Sequence, residues 1–170
     1  PGTEGIDWIA SDPEADLLAL LPGSVEVAGA EALDALRIEC GVPAMGAELT
    51  DATIPAEAGQ WVIDASVSFT KGCYTGQELV ARIDSRGGNV PRPVRALVVT
   101  GPGPDDPTEL VGTPILADGT EVGTVTSAAR SELGVIALGL VGRSVEPGAE
   151  VTVGPGSSPW SASVRPVPLR

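Results

Sequence analysis

The stretch "PILADGTEVGTVTSAARSELGVIALGLV", residues 114–141, decides the fold. It breaks into short runs of Val, Ile, Thr and Leu, each bounded by Gly, Asp or Ser. β-Branched side chains suit a pleated surface, and Asp118-Gly119 is a pair that tolerates the positive φ angles of a tight hairpin. The same texture recurs in "RALVVTG" before the stretch and in "AEVTVG" and "SASVRPVP" after it. Short strands at regular spacing, separated by turn residues, predict a small antiparallel barrel or sandwich. "GPGPDDPTE", 101–109, reads as an exposed loop. The texture changes after "DSRGGNVPRPV", so a boundary is expected near Pro91, with residues 1–90 as one part and 91–170 as the barrel.

The first part mixes element types. "DWIA", 7–10, reads as a strand. Asp12-Pro13 resembles a cap followed by proline at the first helical position, with Leu17, Leu18 and Leu21 as that helix's apolar face and Pro22-Gly23 as its end. "GAEALDALRIECG" predicts a second helix, with Leu33, Leu36 and Cys40 on one side and a stop at Gly41 and Pro43. "WVIDASVSF" places Trp61, Ile63, Ala65, Val67 and Phe69 on alternate positions, the period of a strand. The class is α+β.

Composition narrows the chemistry. The 170 residues are 42% hydrophobic but only 3% aromatic, so aliphatic side chains must fill the core. A net charge of −13 repels phosphates, and no direct nucleic acid binding is expected. The absence of histidine excludes Ser-His and Cys-His nucleophile pairs and histidine metal sites within the chain. Two cysteines, Cys40 and Cys73, are too few for a thiolate zinc site, a four-thiolate cluster or a disulfide framework. A reducing cytoplasm fits them, and the apolar runs are too short and glycine-broken for a membrane span or signal peptide. No resident metal is expected.

The chemistry concentrates in "SFTKGCYTGQELVAR", residues 68–82. Thr75 and Glu78 stand three apart, the spacing of a capping box, and predict a helix from Gly76 towards Asp84 packed down by Leu79, Val80 and Ile83. Cys73 would lie two residues before that cap, near the positive end of the helix dipole and two positions from Lys71, both of which favour thiolate. Such a sulfur would act as a nucleophile or a transient ligand for a soft metal. Against this, a lone cysteine in a turn is more often a small buried residue, and Lys71 could be a solvated charge.

The string "KGCYTGQE" resembles the signature of the YgfZ family, within the folate-binding superfamily of the glycine-cleavage T-protein. "ALRIECGVPAMGAEL" and "TIPAEAG" resemble further segments of that family, and residues 92–168 resemble the superfamily's C-terminal barrel. The resemblance implies a partial ferredoxin-like α/β segment, residues 1–90, followed by the small antiparallel β-barrel, residues 91–170. It implies that Cys73 and Lys71 are the working pair, that tetrahydrofolate or a related folate is the cofactor, and that Tyr74, Gln77 and Glu78 of the signature bind it together with Glu39 and Arg82. Glu39 is similar in position to the glutamate that bonds the pterin ring; on its residues alone it could equally pair with Arg37 or face water. Arg82 and Arg86 could hold the folate's glutamyl carboxylate or simply be solvated. Cys40 stands where the family has alanine and reads as core.

Three functions follow. The first is an accessory protein of iron–sulfur cluster assembly or repair, supporting tRNA-modifying and other cluster enzymes, with iron–sulfur proteins or assembly factors as partners. The second is a tetrahydrofolate-dependent aminomethyl- or methyltransferase, whose chemistry needs no cysteine. The third is a non-catalytic fragment or one part of a two-chain assembly, because the N-terminal portion that completes the family's folate channel has no counterpart in these residues.

Overall fold

The structure, a computed structural model, describes residues 9, 11–12 and 16–169. The strand expected at 7–10 and the cap at Asp12-Pro13 involve residues outside that set. Of the first expected helix, the described residues show one 3-10 turn, Leu18–Leu20, with the Asp16 carboxylate accepting the Ala19 N–H at 3.2 Å. Of the expected apolar face, Leu18 is exposed while Leu17 and Leu21 are half-buried.

Six strands form the predicted barrel: β1 (Val94–Val99), β2 (Pro114–Ala117), β3 (Thr120–Ser131), β4 (Gly134–Val141), β5 (Glu150–Val153) and β6 (Trp160–Arg165). They close in the order β1-β4-β3-β2-β5-β6, every pair antiparallel. The β2–β3 hairpin turns at Asp118 (φ 48°) and Gly119 (φ 76°), the two consecutive positive angles its sequence implies. Alternation then sorts the side chains. Leu97, Val99, Ile115, Val135, Ala137 and Val164 fill the interior, while Val94, Ala96, Ile136 and Leu138 face outward. Each fully buried aliphatic side chain contributes about 1.5–3 kcal/mol.

That outward face is covered by the first helix, α1 (Ala30–Glu39), which packs on β3 and β4. Its buried positions are Ala35, Ile38 and Glu39, and Ile38 joins the outer cluster together with Val167 and Leu169 of the tail. Leu33, expected on the inner side, is exposed, whereas Cys40 is buried as expected. Small Ala35 permits close approach to the strands, so the helix is rotated away from its leucine stripe. It ends in a left-handed glycine: Gly41 (φ 65°) donates to Ile38 O at 3.0 Å and Val42 donates to Arg37 O at 3.0 Å. A Cβ at Gly41 would also lie 2.9 Å from Val167 Cγ1, so both backbone angle and space demand glycine.

The strand expected at 61–69 is instead a helix, α2 (Gln60–Ser66), followed by extended backbone at Val67. Gln60 and Asp64, one turn apart, bond at 2.9 Å, and Val67 N–H closes the last turn on Ile63 O at 2.8 Å. A five-position alternation cannot by itself exclude a two-turn helix that buries only Ile63. A third helix, α3 (Gln77–Asp84), follows the motif. Among the described residues, no strand precedes Val94.

Candidate functional site

The "KGCYTGQE" loop leaves α2 and enters α3 across a glycine. Gly76 takes the cap position with φ 84° and ψ 0°, a left-handed conformation open to glycine at little cost. The expected Thr75–Glu78 capping box therefore does not form. The helix starts one residue later than that box requires, and Thr75 lies outside it. Gln77 does the work instead: its Oε1 accepts the Tyr74 N–H at 3.1 Å. The loop's other fixed points are the Lys71 N–H, which donates to Ser68 Oγ at 3.2 Å, and the Lys71 ammonium, 4.9 Å from the Tyr74 ring centroid. Stacking of this kind holds a cation at a defined place without an acidic partner.

Cys73 sits in this frame as an exposed, unbridged thiol, three residues before the cap rather than two. Glu78 is exposed in the first turn of α3 and Arg82 exposed in the last. Arg86 lies just beyond the helix, also exposed. Val80 is buried, with Leu79 and Ile83 half-buried, as the sequence predicts. Val80 and Ile83 line a small crevice together with Ile63 of α2 and Ala56 of a 3-10 turn, Pro55–Ala58. Glu57 locks that turn, accepting from Ile54 N–H at 3.1 Å and pairing with Arg92 at 3.4 Å.

Glu39 is placed differently. It is the last residue of α1, 2% exposed, held against the barrel, and its carbonyl accepts the Leu169 N–H at 2.7 Å. Arg37 bonds Asp34 at 2.8 Å and Glu48 at 3.2 Å. Lys71, Cys73 and Tyr74 thus share one loop with Gln77 at the start of α3, while Glu39 ends α1.

Glu48 and Glu57, both fully buried, escaped the sequence reading. Each is a single acid in a turn-rich loop, "MGAELT" and "IPAEAG", with no periodicity to mark it. A cavity of about 640 Å³ opens between the start of α1, β3 and residues 105–108, and has Glu31, Asp34, Asp106 and Arg130 on its walls. It includes neither Glu39 nor any residue of the motif. Among the described residues no group of three or more acidic or cysteine side chains is arranged to hold a metal ion, and no helix is long and apolar enough to cross a membrane.

The profiles of known families match no part of the chain. Its backbone does match a solved structure, the glycine cleavage system aminomethyltransferase T from Bartonella henselae, with a TM-score of 0.61 over 82% of this chain. The fold is that of the T-protein. The two sequences are 21% identical, and the chain spans 38% of the length of the Bartonella protein. The T-protein likeness agrees with the α+β class and with the closed barrel of β1–β6.

Proposed function

We propose that the chain is a YgfZ-like accessory protein of iron–sulfur cluster assembly or repair, with Cys73 as its working group. The observation that carries this reading is the exposed, unbridged Cys73 in an intact "KGCYTGQE" loop on a T-protein fold. Cys73 supplies one sulfur donor, and a cluster takes about four. A client or carrier protein must supply the others, so the contact is transient and the cluster is cargo. Lys71, fixed over Tyr74, places a positive charge beside an anionic, thiolate-bound cluster.

Folate enters this proposal through the resemblance and the shared fold. Glu39 has the acceptor oxygens that an aminopyrimidine edge needs, yet at 2% exposure it leaves no room for a ring. The described residues do not by themselves fit a folate, and no step is routed through one. Folate titrated against this chain should bind weakly, because an unformed pocket buries little of the ligand.

The test replaces Cys73 with Ser in cells lacking the native protein and assays cluster-dependent enzymes such as radical tRNA-thiolation enzymes. Loss of rescue with normal protein levels is expected; full rescue by the serine variant removes the thiol from the mechanism. A second reading, a tetrahydrofolate-dependent aminomethyltransferase, is favoured by the name of the structural neighbour. Robust transfer from an aminomethyl-lipoyl donor, unaffected by Cys73→Ser, would establish it in place of the first.

A further inference from the structure

The groove between α1 and the barrel brings together three segments distant in sequence. The first turns of α1 form one bank, residues 105–108 the other, and the end of β3 the bed, around the cavity of about 640 Å³. Its apolar surface comes from small side chains: Ala32 of the helix, Ala129 of the strand and Pro107 of the turn. Nothing long fills the space, and the volume is in the range of binding sites. The charges on its walls do not balance. Four carboxylates line the groove, Glu31, Asp34, Asp105 and Asp106, against one cation, Arg130. Arg130 is committed to the loop beside it, donating to the carbonyls of Pro102, Pro104 and Asp105 at 3.4, 2.6 and 3.4 Å. Asp34 has Arg37 at 2.8 Å, and Asp106 accepts from Thr108. Among the described residues, no group donates to the carboxylate of Glu31 on one bank or of Asp105 on the other. With Arg37 and Arg130 both counted, two negative charges remain in excess over an alanine and proline surface.

We propose that this groove is the docking site for a basic segment of a partner protein. Lysine and arginine match both features of the groove. Their stems are apolar and lie on the alanine surface, while their cationic heads reach the carboxylates of Glu31 and Asp105. The placement of those two acids on opposite banks favours a peptide over a free small cation. Each is exposed, and an exposed ion pair alone is weak. A segment that crosses the groove joins both pairs and covers apolar surface between them. Leu33 lies in α1 between the lining residues Ala32 and Asp34, is 67% exposed, and adds apolar area beside the groove. The chain's net charge of −13 draws a basic partner from a distance and repels a nucleic acid or an anionic bilayer. No residue of the motif loop lines the groove, so the inference is independent of the role of Cys73.

The test titrates the full chain into a labelled nonapeptide carrying four Lys and two Leu, followed by fluorescence anisotropy. The same peptide with Gln in place of Lys, and free spermidine as competitor, serve as comparisons. The lysine peptide should bind, and its affinity should fall as salt is added. Glu31→Gln/Asp105→Asn should weaken it about threefold to tenfold, the effect of two exposed ion pairs. Glu121→Gln/Glu146→Gln removes the same charge outside the groove and should change affinity less than twofold. Ala32→Trp sets an indole into the groove with no change of charge, and should weaken binding at least fivefold in a protein whose melting temperature is retained. No binding of the lysine peptide, equal loss in the two double variants, or full affinity in the folded Ala32→Trp protein would each overturn the inference. So would equal binding of the glutamine peptide, or displacement of the lysine peptide by an equal concentration of spermidine.

Discussion

Glu48 is fully buried and accepts hydrogen bonds from four groups: the Arg37 guanidinium, the Ala44 N–H, and the Thr126 and Ser127 hydroxyls. Its carboxylate joins the 42–50 loop, the end of α1 and strand β3. Removing one partner of a buried charged network leaves the others unsatisfied, so Glu48→Ala should lower stability by about 3 kcal/mol in urea titration. A cost below about 1 kcal/mol would show that water replaces the carboxylate freely. Asp106 gives a pH-dependent counterpart. Its side chain accepts from the Thr108 hydroxyl and backbone N–H, holding its pKa below the usual 3.8. A depressed folded-state pKa adds stability above the unfolded value, and that stability is lost as pH falls through the folded value. The melting-temperature advantage of the wild type over Asp106→Asn should hold at pH 6 and shrink on acidification below the unfolded value; an advantage independent of pH would refute the linkage. The accessible Cys73 and the buried Cys40 were legible as single residues, because glycine-flanked loops and helix ends announce themselves. Glu48 was not, since its partners lie up to 79 residues away.

At the scale of elements, local chemistry carried the hairpins, and tertiary contact decided the helices. Asp118-Gly119 dictates its turn whatever surrounds it. The rotation of α1 away from Leu33 depends on strands that begin more than 50 residues later, which no helical period within 30–40 can encode. The helix at α2 was misread because seven residues satisfy two periodicities at once. The capping box failed because Gly76 offered a left-handed start that the Thr75–Glu78 spacing could not anticipate. Where strands approach closely, small residues are required. A Cβ at Gly139 would lie 2.7 Å from Ile115 Cδ1 and 2.8 Å from Thr124 O. Gly139→Ala should therefore cost about 1–3 kcal/mol by overpacking β4 against β3 and the interior. An unchanged denaturation midpoint would mean that the barrel expands at no cost there.

Over the whole molecule, stability is unevenly shared. The barrel interior is a continuous aliphatic cluster enclosed by paired strands, whereas α3 and α2 bury one residue each, Val80 and Ile63. Opening free energies follow burial and hydrogen-bond enclosure. Hydrogen exchange should show amides of β1, β3 and β4 protected at least a hundredfold longer than those of α2 and α3. Equal protection would mean that helices and barrel unfold as one unit.

Ring closure of the six strands has a further consequence. With β6 bonded back to β1, neither end of the sheet presents a free backbone ladder to a passing chain. Strand donation from another protein, a common route to both recruitment and fibre growth, has no foothold on the barrel.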